Sequence, residues 1–142
     1  MIRPNPLRLA VLATAAAIAI AISGCGSSAS GAPKHASLTV TTTEFAFHPM
    51  TATAKAGRLT LKLVNDGKAV HELVLLKTDR PAGSLSVKGG RVSEAASVGE
   101  VSETPAGATK SSTVTLERGR YVFVCNIPGH YADGMRGTLT VS

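Results

Sequence analysis

The strongest constraint on the fold of this chain is a period of two in its hydrophobic residues. From residue 38 onward, short runs alternate apolar and polar positions. Leu38-Thr39-Val40-Thr41 does so, as does Leu59-Thr60-Leu61-Lys62-Leu63. His71, Leu73 and Leu75 share one strand face, Val114 pairs with Leu116, and Leu139 pairs with Val141. Such alternation marks half-buried strands. Tyr121-Val122-Phe123-Val124-Cys125 is apolar on both faces, which predicts a central, covered strand. Turn signals at Lys55-Ala56-Gly57, Asn65-Asp66-Gly67 and Glu117-Arg118-Gly119 separate the runs. Aromatic residues make up only 4% and tryptophan is absent, so Val, Leu, Thr, Ala and Gly must build the core, a mixture that suits sheets. The expectation is one all-β domain, a Greek-key β-sandwich of about seven or eight strands. Residues 80–110 are irregular and rich in Gly, Ser and Pro. They predict a mobile excursion with a short strand near Val98–Val101. No internal repeat is visible.

The first 37 residues read differently. Arg3 and Arg8 precede an apolar run from Leu9 to Ile22, followed by Ser23-Gly24-Cys25. A positive start, an apolar stretch of this length and a small-residue cleavage site describe a secretory signal. The run is short for a membrane-spanning helix, which needs about 20 apolar residues. Ile22-Ser23-Gly24-Cys25 resembles the lipobox of bacterial lipoproteins, whose cysteine is acylated and becomes the new N-terminus. The competing reading is an ordinary signal cut near Ala29, which would release a soluble protein. Residues 26–36, GSSASGAPKHA, lack periodicity and have the composition of a flexible tether. The expected organisation is a signal peptide over 1–24, a lipidated tether over 25–37 and a folded domain over 38–142. The protein is expected to be exported and lipid-anchored, at the outer face of the cytoplasmic membrane or at another envelope membrane.

Charge narrows the partners. Removing Arg3 and Arg8 from the 15 basic residues leaves 13 against 9 acidic, a charge of +4. The basic residues are scattered along the sequence, with some attraction expected for anionic lipid or an acidic partner. No basic cluster with interleaved aromatics is present, so nucleic acid is not an expected partner. The two cysteines, Cys25 and Cys125, invite a disulfide. Each sits in its own local motif, which argues against that pairing.

The chemistry is concentrated in residues 125–135, CNIPGHYADGM, where cysteine, histidine and methionine follow at C-x4-H-x4-M. This segment starts where a buried strand ends and stops where the last strand, Arg136 to Val141, begins. A loop pinned by two neighbouring strands can present Cys125, His130 and Met135 to one point. A thiolate and imidazoles suit both Cu(I) and Cu(II), and a thioether is a weak axial ligand that few other metals choose. Zinc more often recruits further cysteines, histidines or carboxylates. The second imidazole must come from elsewhere, and His71 at the start of a strand is the best candidate. His48, before Pro49 in an early loop, and His35, in the tether, read as structural or solvated. Taken singly, Cys125 could be a buried apolar thiol, His130 a loop residue and Met135 a core filler. Their coincidence at metal-ligand spacing favours the site.

The segment from about Leu38 to Ser142 resembles the cupredoxin family. Its C-x4-H-x4-M loop, with Pro128-Gly129 before the histidine, is similar to that of rusticyanin, auracyanin and sulfocyanin, whereas plastocyanin and amicyanin usually have a shorter cysteine-to-histidine gap. The resemblance implies a mononuclear type 1 copper site at one end of a Greek-key sandwich. His71, Cys125 and His130 would be equatorial ligands and Met135 the long axial one. Many plastocyanin-like proteins carry Asn after the first histidine, tying the ligand loops together; here that residue is Glu72.

These readings predict a monomeric one-electron carrier with one copper per chain and transient redox partners, not an enzyme. His130 would be the electron port, rimmed by Pro128, Gly129, Tyr131, Ala132 and Gly134. The main rival is a copper chaperone or storage lipoprotein using the same ligands. A metal-free sandwich used for adhesion or assembly is a third class.

Overall fold

The computed structural model describes residues 36–142. The signal segment, Cys25, His35 and nearly all of the tether lie outside the described residues. Among the described residues there are eleven strands: β1 (Ala36–Thr43), β2 (Ala46–His48), β3 (Thr51–Ala54), β4 (Gly57–Asn65), β5 (His71–Lys77), β6 (Val87–Lys88), β7 (Arg91–Val92), β8 (Ser97–Thr104), β9 (Thr109–Leu116), β10 (Gly119–Val124) and β11 (Arg136–Val141). They form a four-stranded sheet, β2-β1-β4-β9, a five-stranded sheet, β3-β11-β10-β5-β8, and the small hairpin β6-β7. The count exceeds the expected seven or eight because β2, β3, β6 and β7 have only two to four residues each. Strands this short carry almost no periodic signal. Among the described residues, no helix is long and apolar enough to cross a membrane.

The alternation in β4 does what its pattern requires. Leu59, Leu61 and Leu63 are fully buried, while Thr60, Lys62 and Val64 lie toward solvent. They meet Leu73, Leu75, Phe123 and Leu139 of the other sheet in one cluster. Phe47 and Phe123 pack tilted at the centre, ring centroids 5.7 Å apart. Burying a side chain of this size contributes roughly 1.5–3 kcal/mol. Gly137 lies so close to the Phe123 ring and the Met50 carbonyl that a Cβ would stand 2.3 and 2.7 Å from them. Only glycine allows β11 this approach.

Both faces of β5 and β10 are buried, as the unbroken apolar run of β10 predicts. The outer face carries Val74, Leu76, Val122 and Val124, covered by Val92, Tyr131, Ala82 and Leu85. Residues 80–96 therefore lie as a strap over the five-stranded sheet. The expected strand near Val98–Val101 is present within β8, and the rest of the 80–110 excursion is more regular than its composition suggests. The excursion contains the β6-β7 hairpin, all eight residues of β8 and the start of β9. Its irregular appearance follows from how little it buries: in β8 only Val101 and Thr104 are covered.

Candidate metal centre

Two loops and one strand end meet at one pole of the sandwich. His71 opens β5 and is fully buried. The turn before it is fixed from two sides. The Asn65 amide donates to Ala69 O and Thr104 O, both at 2.8 Å, and its Oδ1 accepts from Gly67 N at 2.9 Å. Glu44 Oε1 accepts from the amides of Lys68 and Ala69. Those two amides hold the Glu44 carboxyl below its ordinary range.

Cys125 follows the last residue of β10, and its loop closes on itself. Cys125 N donates to Met135 O at 3.1 Å, Met135 N to His130 O at 3.0 Å and His130 N to Ile127 O at 3.1 Å. Cys125 and Met135 are fully buried and His130 is half-buried. Cys125 carries a free thiol. Its Sγ stands 3.3 Å from His130 Nδ1 and 4.0 Å from His71 Nδ1. All three donor atoms lie within 4.8 Å of one another.

These distances fit a shared ion. A first-row metal about 2.3 Å from sulfur and about 2.0 Å from nitrogen, at near-tetrahedral to trigonal angles, separates the donors by roughly 3.6 Å. The observed pair brackets that value. Burial supports the same conclusion. The His71 nitrogen that faces the site, Nδ1, has only a 4.0 Å contact to Sγ, too long for a strong hydrogen bond. A buried nitrogen so weakly partnered is costly, and an ion on Nδ1 would supply the missing partner. Burial, followed by the neighbouring His130, pushes the His71 pKa down and keeps the ring neutral, which is its metal-binding form. Burial pushes the Cys125 thiol up, while the Glu72 and Ile127 amides pull it back. Glu72 N lies 3.5 Å from Sγ. A metal would complete the deprotonation that those amides favour.

The structure thus brings His71, Cys125 and His130 to one point. Met135 is placed by backbone bonds to the other two loop donors, with its side chain in the main core cluster. His48 is exposed on β2. Glu72, standing where many plastocyanin-like chains carry Asn, still ties the two loops together. Its amide faces the sulfur and its Oε1 accepts from Asn126 N at 3.1 Å.

Several contributors are invisible in the motif. Asn126 is buried, with Oδ1 accepting from Val92 N at 2.8 Å and Nδ2 donating to Val92 O and Glu94 Oε1 at 3.1 and 2.6 Å. Arg91 donates to Asn126 O at 2.8 Å, and Gly129 N to Gly90 O at 3.0 Å. A Cβ on Gly90 would press on Gly129 N and Pro128 at 3.1 and 3.2 Å, so the hairpin tip needs glycine to seat against the loop. Tyr131, expected on the rim, is buried instead. Its hydroxyl donates to Ala82 O at 2.7 Å and accepts from Leu85 N at 3.0 Å. An apolar ring with one polar tip is well suited to that position under a strap. Phe45, which no motif marks, packs edge-on against His130 with centroids 5.4 Å apart and is 42% exposed. Its only sequence signal is a lone aromatic next to a turn.

Comparison with known proteins agrees with this geometry. The family model described as copper binding proteins, plastocyanin/azurin family, matches residues 34–142. A 38-residue stretch is 47% identical to Auracyanin-B of Chloroflexus aurantiacus, covering 25% of this chain and 16% of that relative's length. The reduced auracyanin of Roseiflexus castenholzii superposes with a TM-score of 0.62 at 22% identity, over 75% of this chain and 96% of that one. Auracyanin A of Chloroflexus aurantiacus does so with a TM-score of 0.58 at 21% identity, over 75% and 99%. With its donor set converged at one pole of a matching sandwich, the chain belongs to the plastocyanin/azurin family of copper binding proteins, a cupredoxin whose cofactor is copper.

Proposed function

We propose that this protein carries single electrons between transient redox partners outside the cytoplasm, held to an envelope membrane through lipidated Cys25. The observation that carries the electron-transfer reading is the convergence, within 4.8 Å, of the Cys125 sulfur and a His130 nitrogen from a loop closed by its own backbone with a His71 nitrogen from the start of β5. Copper bound there supplies a one-electron couple. His71, Cys125 and His130 would hold it, with Met135 as the weak fourth donor. The residues of the chain then have two tasks. The first is rigidity: the strap bonds of Asn126, Gly129 and Tyr131 resist rearrangement of the loop between oxidation states. The second is access. His71 and Cys125 are sealed from solvent, whereas His130 is half-buried beside exposed Phe45, Pro128 and Ala132. A small apolar rim of this kind suits brief docking of a redox partner.

The test is the copper-loaded protein. An intensely blue oxidised form that bleaches reversibly with reductant is expected, and Cys125→Ser should abolish the colour. Colour retained in that variant would refute the ligand set. Copper release to a chelating acceptor that outpaces electron exchange would favour the delivery reading instead.

A further inference from the structure

The strand register gives the sandwich two poles. Thr42 of β1 stands beside Asn65 of β4, Asn65 bonds to Thr104, and Thr104 pairs with His71. That end holds the metal centre. At the other end Ala36 stands beside Leu59, Gly57 beside Leu116, and Val141 beside both Gly119 and Ala54. With a rise of about 3.3 Å per residue, β1 carries the chain about 23 Å from one pole to the other. The segment that precedes Ala36 therefore joins the domain at the pole opposite the metal centre.

Five basic residues that are scattered along the sequence lie at that same pole. Lys55 lies in the turn before β4, Arg58 near its start, Arg118 in the turn before β10, Arg120 just inside that strand and Lys77 at the end of β5; all are exposed. Register and hydrogen bonds join them. Lys55 Nζ reaches Ser142 Oγ at 3.1 Å, Ala56 N bonds Ser142 O, and Thr78 N bonds Arg120 O. The acidic side chains here are Glu117, paired with Lys77 at 2.5 Å, and Asp79, which is followed by Arg80. The metal pole is close to balanced. Glu44, Asp66, Glu72, Glu94, Glu103 and Asp133 stand with Lys68, Lys88, Arg91, Lys110 and Arg136, and Arg91 and Arg136 each donate to a carbonyl of the ligand loop.

We propose that the basic pole docks on the anionic head groups of the membrane that holds the anchor, which stands the metal pole away from the bilayer. This inference rests on the lipid-anchor reading. Its chemistry is charge complementarity at short range. Each Lys or Arg near an anionic surface raises occupancy about fivefold, and the attraction fades within a Debye length of about 8–10 Å. A Gly/Ser-rich segment the length of residues 25–35 spans about 18 Å root-mean-square, so the local lipid concentration is high and a modest patch suffices. The apolar rim around His130 then faces outward to its partners.

The experiment uses the full chain expressed with its own leader, isolated in detergent and reconstituted into vesicles. One set is phosphatidylcholine alone, the other includes phosphatidylglycerol. Amide hydrogen exchange is read over residues 54–60 and 115–121 at the basic pole and over 125–134 at the metal pole. The expected result is slower exchange at the basic pole on phosphatidylglycerol vesicles only. That protection should vanish in high salt and in the triple variant Arg58→Glu, Arg118→Glu, Arg120→Glu, and return with lysine at the same positions. An unchanged copper spectrum would show the variant folded. Equal exchange on both vesicle types, or protection at the metal pole, overturns the proposal. The anchor is scored separately, by the mass of the Cys25 peptide and by membrane fractionation. If Cys25 proves unmodified, the soluble protein is co-sedimented with the same vesicles. Selective binding to phosphatidylglycerol then still supports the docking pole, and no binding refutes it.

Discussion

Replacing Asn126 by alanine should loosen the metal loop without touching a ligand atom. Asn126 is almost wholly buried, and its side chain makes three hydrogen bonds, two of them to the backbone of Val92. Val92 is itself buried. Alanine leaves the Val92 N–H and C=O without their partners, and each orphaned group costs about 1–3 kcal/mol. Water entering from the strap edge would recover some of this, so the expected loss is about 2–4 kcal/mol. For a domain of about 100 residues that corresponds to a melting temperature lower by roughly 10–20 °C. Urea titration and calorimetry of the copper-free protein give the global loss. A second readout isolates the loop. Cys125 is sealed in the wild type, so its labelling by a thiol reagent requires local opening. Releasing the strap should speed labelling at least about tenfold, the factor for 1.4 kcal/mol of opening energy. A loss below about 0.5 kcal/mol with unchanged labelling would refute the claim that residues 80–96 hold the ligand loop in place.

Three further outcomes follow from the same contacts. Tyr131→Phe keeps the buried ring but loses the bonds to Ala82 O and Leu85 N, so it should cost about 1–2 kcal/mol in urea titration and raise Cys125 labelling less than Asn126→Ala does. Gly137→Ala drives a methyl into the Phe123 ring and the Met50 carbonyl, which is fixed by Thr138 N at 2.8 Å; about 3 kcal/mol or more should be lost, visible as low soluble yield and a depressed melting temperature. Glu44→Gln should remove an acid-sensitive contribution. The folded carboxyl sits below its ordinary value of 4.5, so its contribution is complete above that pH and lost as pH falls through the depressed folded value. The stability gap between wild type and variant should therefore be constant near neutrality and close in acid; a gap independent of pH would refute the role of Glu44.

Strands β4 and β10 could be read directly because burial on one face, or on both, writes itself into adjacent residues. The ligand loop was legible for a related reason: its three donors lie within eleven residues between two strands. The strap was not. Its grip on the loop consists of isolated hydrogen bonds, among them those between Asn126 and Val92, from Arg91 to Asn126 and from Tyr131 to Ala82, across 34, 35 and 49 positions. No local pattern encodes pairings that distant. Tyr131 was misplaced for the same reason, since a tyrosine in a glycine-rich loop looks exposed until the strap above it is known.

The sequence by itself determined the chemistry: a soft donor set of fixed order, an all-β scaffold to mount it on, and a copper-binding identity. Tertiary structure alone decided how the strap of residues 80–96 grips the ligand loop, that Phe45 packs on His130, that Tyr131 is buried, and that five dispersed basic residues share the pole where β1 begins. Residue types and their spacing are local properties, whereas convergence, burial and the sign of a surface arise only when strands distant in sequence are set side by side.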